Sequence, residues 1–157
     1  MTTMLELISK DPDYEAFEEN YGDAIGYHLR TEQFRRSGQR FSLVFNVGAV
    51  ALERYLVAMC HLYGVMPLNH NFICLMNAVE LVADIPPDLN KEIRSLDFIF
   101  GICSLEDYFH GEPTPGDAER VLVMCDEIRQ LFDVERMAAI RQTAAAAKEQ
   151  DCGDTFP

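Results

Sequence analysis

The chain contains no C-x-x-C pair, and its first residues lack the pattern expected of a secretory leader. It has no excess of basic residues, no phosphate-cradling glycine motif and no sustained two-residue alternation of apolar and polar side chains. Each absence excludes something. Five cysteines (Cys60, Cys74, Cys103, Cys125 and Cys152) form no paired framework, and three lie in apolar helical patterns where a thiol acts as a small hydrophobe. A reduced, cytoplasmic protein is expected. The start "MTTMLELISKDPDYEAFEE" has neither the basic first residues nor the apolar stretch of an export signal. With 26 acidic against 13 basic side chains, the net charge of −13 disfavours non-specific binding to nucleic-acid backbones. Missing alternation argues against a sheet. No G-x-S-x-G elbow, Walker loop or G-x-G-x-x-G is present, so the common hydrolase and nucleotide-cradle motifs are excluded.

What is present is helical periodicity over a chain of 157 residues, enough for one ordinary core. Phe17, Tyr21, Ala24, Ile25, His28 and Leu29 recur at three- and four-residue spacing, which predicts a helix ending near Gly38. Gly22 and Gly26 weaken it by about 1 kcal/mol each relative to alanine, so a close helix contact or a kink is expected there. From Gln39 to Leu62 the pattern is apolar nearly all round, the mark of a helix enclosed by others. The run Phe41 to Tyr63 has membrane-spanning length, but Glu53 and Arg54 at mid-span would be costly in lipid, so a core helix is expected and no membrane.

Gly64 and Pro67 end that helix, and Asn69 or Asn71 caps a short third one, Phe72 to Val82. After "ADIPPD", Leu89, Ile93, Leu96, Ile99, Phe100 and Cys103 repeat toward Tyr108 as a fourth. "TPGD" then opens a fifth, with Thr114 as N-cap, Pro115 at the first position and Asp117 in the first turn. The expectation is an all-α, antiparallel up-down bundle of four to five helices. Its divisions are an N-terminal segment over 1–12, the bundle over 13–143 and a flexible tail over 144–157, the chain past Ile140 extending as an exposed helix or fraying.

The candidate chemistry is sparse. Asp107 and His110 make one D-x-x-H step, but a carboxylate-bridged metal site needs a second step and two further carboxylates, so no metal and no cofactor is implied. His28, His61 and His70 read as hydrogen-bonded structural histidines. Glu53 and Arg54 stand out because a charge within an apolar helix must be paired or face a cleft. Arg54 could meet Asp97, Glu106 or Asp107 and so join the second helix to the fourth, or both could lie on a solvent strip. Arg30, Arg35, Arg36 and Arg40 cluster within eleven residues. That patch could receive a phosphate or an acidic partner, or balance the acidic Asp11 to Asp23 segment.

The stretches "FNVGAVALERYLVAMCHLYGVMPLNHNFICLMNAVEL" and "EIRSLDFIFGICSLEDYFHGEPTPGDAERVLVMCDEI" resemble the HEPN domain, over roughly Ala24 to Phe132. A second helix with Ala49 or Ala51, Glu53, Leu56 and Ala58 leads into a loop with Gly64, Pro67 and His70. Asp117 and Ala118 open the last helix. The resemblance implies a cytosolic helical bundle, a homodimer, and a place in toxin–antitoxin or nucleotide-linked systems.

Many members of that family are metal-independent ribonucleases carrying an arginine followed by a histidine four to six residues later. Counting back from His110, the arginine would stand at Cys103, Ser104 or Leu105, and none is basic. Arg94 is about four turns away. The expectation is therefore a non-catalytic protein that binds a partner protein, a nucleotide-type ligand or RNA. Glu53, Arg54, Glu106, Asp107, His110, Arg35, Arg36 and Arg40 are the candidate contacts. The alternative is a divergent ribonuclease toxin using His110 with a borrowed arginine such as Arg54 or one of the Arg30 to Arg40 cluster.

Overall fold

The computed structural model describes residues 11–100 and 113–153, so the expectations placed on Cys103, Glu106, Asp107 and His110 lie outside the described residues. Among the described residues the chain is all-helical, with six helices: α1 (Tyr14–Arg36), α2 (Phe41–Tyr63), α3 (Phe72–Val79), α4 (Pro87–Ile99), α5 (Pro115–Gln130) and α6 (Val134–Gly153). The six exceed the expected four to five because the last helix resumes after a turn at Leu131–Asp133 and continues to Gly153.

Local signals account for the boundaries. Asp13 caps α1 by accepting from the Ala16 N–H at 3.1 Å, while Arg35 and Arg36 sit in the last turn, where the helix dipole favours positive charge. α2 ends at Gly64, whose φ of 69° is the left-handed conformation that glycine adopts at no steric cost. Asn71 caps α3 through the Cys74 N–H at 2.8 Å. α5 opens with the expected capping box: the Thr114 hydroxyl accepts from the Asp117 N–H at 3.2 Å and the Asp117 carboxylate from the Thr114 N–H at 2.8 Å.

α2 is the hub. α1 runs antiparallel to it, the Asp13 N–H meeting the His61 carbonyl at 3.1 Å, and α5 packs on its other side, with Val121 beside Gly48 and Phe132 beside Tyr55. Among the described residues, the helix long and apolar enough to cross a membrane is α2 itself, and 67% of its most apolar stretch is buried within the bundle. Its core residues include Phe45, Leu52, Tyr55, Leu56 and Met59, all at 0% exposure. Each such side chain contributes roughly 1.5–3 kcal/mol by leaving water.

The close helix contact falls at a different glycine from those expected. Gly22 and Gly26 have open space where a side chain would stand, and α1 runs unbroken through both. At Gly48 a Cβ would lie 2.6 Å from Val121 Cγ1 and 3.3 Å from Thr31 Cγ2, so α1, α2 and α5 meet where only hydrogen fits. The Cys125 thiol seals that crossing, donating to the Gly48 carbonyl at 3.4 Å.

The α3–α4 pair is built differently. α4 packs chiefly on α3, and α3 in turn on α2. The joint is Asp97, at 0% exposure, whose carboxylate accepts from the Phe72 N–H at 2.9 Å and the Ile73 N–H at 2.8 Å. A side chain of α4 thus satisfies the first donors of α3, which an eight-residue helix cannot satisfy internally.

Candidate functional site

Where α2, the start of α3 and the end of α4 meet, a cleft of about 310 Å³ is lined by Asn46, Ala49, Val50, Glu53, His70, Asn71, Phe72 and Phe100. Its floor is aromatic: the Phe72 and Phe100 rings are 6.2 Å apart and nearly parallel, and Phe45 lies 5.5 Å from Phe100. Its rim is polar. Glu53, partly exposed, faces His70 Nδ1 at 3.4 Å, and the Asn46 amide is exposed about two turns earlier on α2. The i, i+3 and i+7 spacing of Asn46, Ala49 and Glu53 sets them on one helix face, which is why the cleft follows α2. Of the expected site residues, Glu53 is thus placed in a cleft, with a loop histidine from the same stretch that carries the family resemblance.

Arg54 points elsewhere. Its Nη1 donates to the Asn20 side-chain oxygen on α1 at 3.1 Å, and Asn20 in turn donates to the Ala16 carbonyl at 2.8 Å. The expected link from Arg54 to Asp97 is therefore corrected, because the Asp97 carboxylate caps α3. Adjacent positions on a helix are about 100° apart, so Glu53 and Arg54 face different neighbours. Arg54 Nε is buried without a hydrogen-bond partner among the described residues.

The arginine patch is likewise divided. Arg35 donates through Nε to both carboxylate oxygens of Glu119, at 2.8 and 3.0 Å, with Glu32 at 3.8 Å. Those partners raise its pKa above the ordinary arginine value. The counter-charge to Arg35 comes from α5 and from its own helix, not from the Asp11 to Asp23 segment at the far end of α1. Arg30 lies over the Phe34 ring at 5.8 Å, while Arg36 and Arg40 are exposed, Arg40 as the residue before α2.

A second constellation was not singled out by sequence reasoning. His28 is 5% exposed. Its Nδ1 lies 2.9 Å from the Tyr55 hydroxyl, and its Nε2 lies 3.1 Å from an Asp126 carboxylate oxygen. With Glu32 one turn along α1, these groups present one imidazole nitrogen and two carboxylates whose donor atoms all lie within 4.8 Å of one another. This is the arrangement among the described residues that could hold a metal ion. Burial pushes the Tyr55 phenol well above its ordinary value, so its hydroxyl keeps its proton at neutral pH. The helical step His28–Glu32 was visible in the sequence, but the third member, Asp126, comes from a helix whose register against α1 is a property of the packing.

Compared with known proteins, the chain matches no family model, no curated protein and no solved structure. What fold and site define together is an all-helical bundle with an aromatic-floored, polar-rimmed cleft beside its central helix.

Proposed function

We propose that the chain is a non-catalytic, HEPN-like helical protein of the cytoplasm. It self-associates and binds a nucleotide-type ligand, in a toxin–antitoxin or related system. The observation that carries this reading is the cleft at Glu53: a partly exposed phenylalanine face beneath convergent carboxylate, imidazole and amide groups. Such a site suits a planar base. Stacking on an aromatic ring contributes roughly 1–3 kcal/mol per base, and every base has amine or ring N–H groups that a carboxylate or amide can receive. The net charge of −13 favours recognition of the base edge over recognition of a long phosphate backbone. Self-association is supported by Phe98, 67% exposed on α4 in a hollow whose apolar side chains Ile73, Ile85 and Pro87 are rimmed by polar ones such as Lys91 and Arg94.

The ribonuclease alternative requires an arginine beside His110; of the expected donors, Arg54 is engaged by Asn20 and Arg35 by Glu119. Calorimetric titration with nucleosides and their mono-, di- and triphosphates, paired with an RNA-cleavage assay, tests the reading. Binding that weakens in Glu53→Gln and Asn46→Ala, without cleavage, is expected. Absence of binding, binding unaffected by both substitutions, or cleavage abolished by His110→Ala would contradict it.

A further inference from the structure

We propose that His28, Glu32 and Asp126 form a binding site for one divalent transition-metal ion, of the zinc class, at the node of α1, α2 and α5. The donor set is one imidazole nitrogen and two carboxylates, borderline and hard ligands together, which suits Zn²⁺ and its neighbours in the first transition row. Donor atoms around a single such ion stand roughly 3.0–3.4 Å apart, as bond lengths near 2.1 Å require. The 3.1 Å between His28 Nε2 and the Asp126 oxygen falls in that range, and Glu32, partly exposed one turn along α1, brings its carboxylate within 4.8 Å of both.

Three features set this node apart from an incidental surface cluster. The imidazole is buried, and its second nitrogen is held by the Tyr55 hydroxyl at 2.9 Å, the outer contact that orients a ligating histidine. Tyr55 is itself locked at 0% exposure among the rings of Tyr21 and Phe132, so the imidazole direction is fixed before any ion arrives. A direct imidazole–carboxylate contact accounts for His28 and Asp126 but leaves Glu32. The cation nearest to Glu32, Arg35 at 3.8 Å, is drawn away by Glu119 at 2.8 Å. Two negative charges thus converge on one imidazole, and an ion of charge +2 satisfies all three groups. Asp126 is more than half exposed, so the remaining coordination positions open to water.

The site is independent of the cleft at Glu53 and of the reading given to it. The test is equilibrium dialysis of chelator-stripped full-length protein against Zn²⁺ under reducing conditions, with elemental analysis, and Co²⁺ absorption to report the donor type. One equivalent per chain is expected, with a nitrogen–oxygen spectrum. Affinity should fall at least about tenfold in Asp126→Asn and in Glu32→Gln, and about tenfold in Tyr55→Phe, which removes only the outer contact. Glu92→Gln, on α4 and paired with Arg120, should leave it unchanged. Asp126 and Glu32 are solvent-accessible, so their variants keep the fold, which circular dichroism verifies. Substoichiometric Zn²⁺, a thiolate charge-transfer spectrum, or equal affinity in wild type and Asp126→Asn would overturn the proposal.

Discussion

Around α2 the bundle closes by shape, whereas the α3–α4 side adds to its apolar packing a buried carboxylate cap and the contacts of Arg94 with Asn77 at 2.7 Å and Glu80 at 3.1 Å. At Gly48 the crossing of three helices leaves room for a hydrogen and nothing larger, and the surrounding contacts are apolar save for one thiol. At Asp97 the joint is polar: two backbone N–H groups of α3 end on one carboxylate of α4. The two designs fail differently. A packed crossing loses stability through excess volume and regains it when a neighbour shrinks. A buried cap loses it when donors are stranded, and no neighbour can supply the missing acceptor.

Asp97→Ala should have the largest effect. It strands one buried and one part-buried donor that were bonded to a carboxylate, at a cost of about 3 kcal/mol in urea unfolding. Hydrogen exchange should accelerate first in α3 and α4 while the amides of α1, α2 and α5 stay protected. Uniform acceleration would erase the distinction between the two regions. Next comes Gly48→Ala, expected to cost about 1–3 kcal/mol by overpacking against Val121. Adding Val121→Ala should return part of that loss, a favourable coupling of about 1 kcal/mol in a double-mutant cycle. Additive losses would mean that the crossing is not sterically set.

Tyr55→Phe keeps the ring but drops the contact to His28, and should cost about 1 kcal/mol. The smallest effect at neutral pH concerns the thiols. Burial raises Cys60 from 9.0 to about 12 and Cys125 further still, so neither is a thiolate at pH 8. Peptide mapping after brief alkylation should find the exposed Cys152 modified, and Cys60 and Cys125 only after unfolding. The same shift sets a sign. A thiol that stays protonated when folded but ionises near 9 when unfolded adds stability that is complete below about pH 9. That stability is lost as pH rises toward 12. Alkaline unfolding should therefore begin above about pH 9, more steeply in wild type than in Cys60→Ala.

How much of this was legible in the sequence follows the range of each interaction. Thr114 with Asp117, Gly64 and Asn71 act within a few residues of themselves, and the helix boundaries they imply are the observed ones. The apolar circumference of α2 likewise foretold its enclosure. Glu53 was identified because its charge interrupts that pattern. Its neighbour Arg54 was identified for the same reason, but of its expected partners Asp97 is engaged by α3 and Arg54 meets Asn20 instead, since helix phase alone does not say whether α1 or α4 lies opposite. Asp97 as a cap, Gly48 as a crossing and Asp126 opposite His28 depend on the rotation of one helix against another. Many apolar residues fit more than one rotation, so the pattern leaves these pairings undetermined.

The central claim, a ligand cleft at Glu53, is tested most directly by an isotope-correlated NMR titration of the full chain with purine and pyrimidine nucleotides. Saturable shifts confined to Asn46, Glu53, His70 and Phe100 and their neighbours, lost in Glu53→Gln, are the predicted result. Shifts centred on the exposed arginines Arg36 and Arg40, or none at millimolar nucleotide, would contradict it.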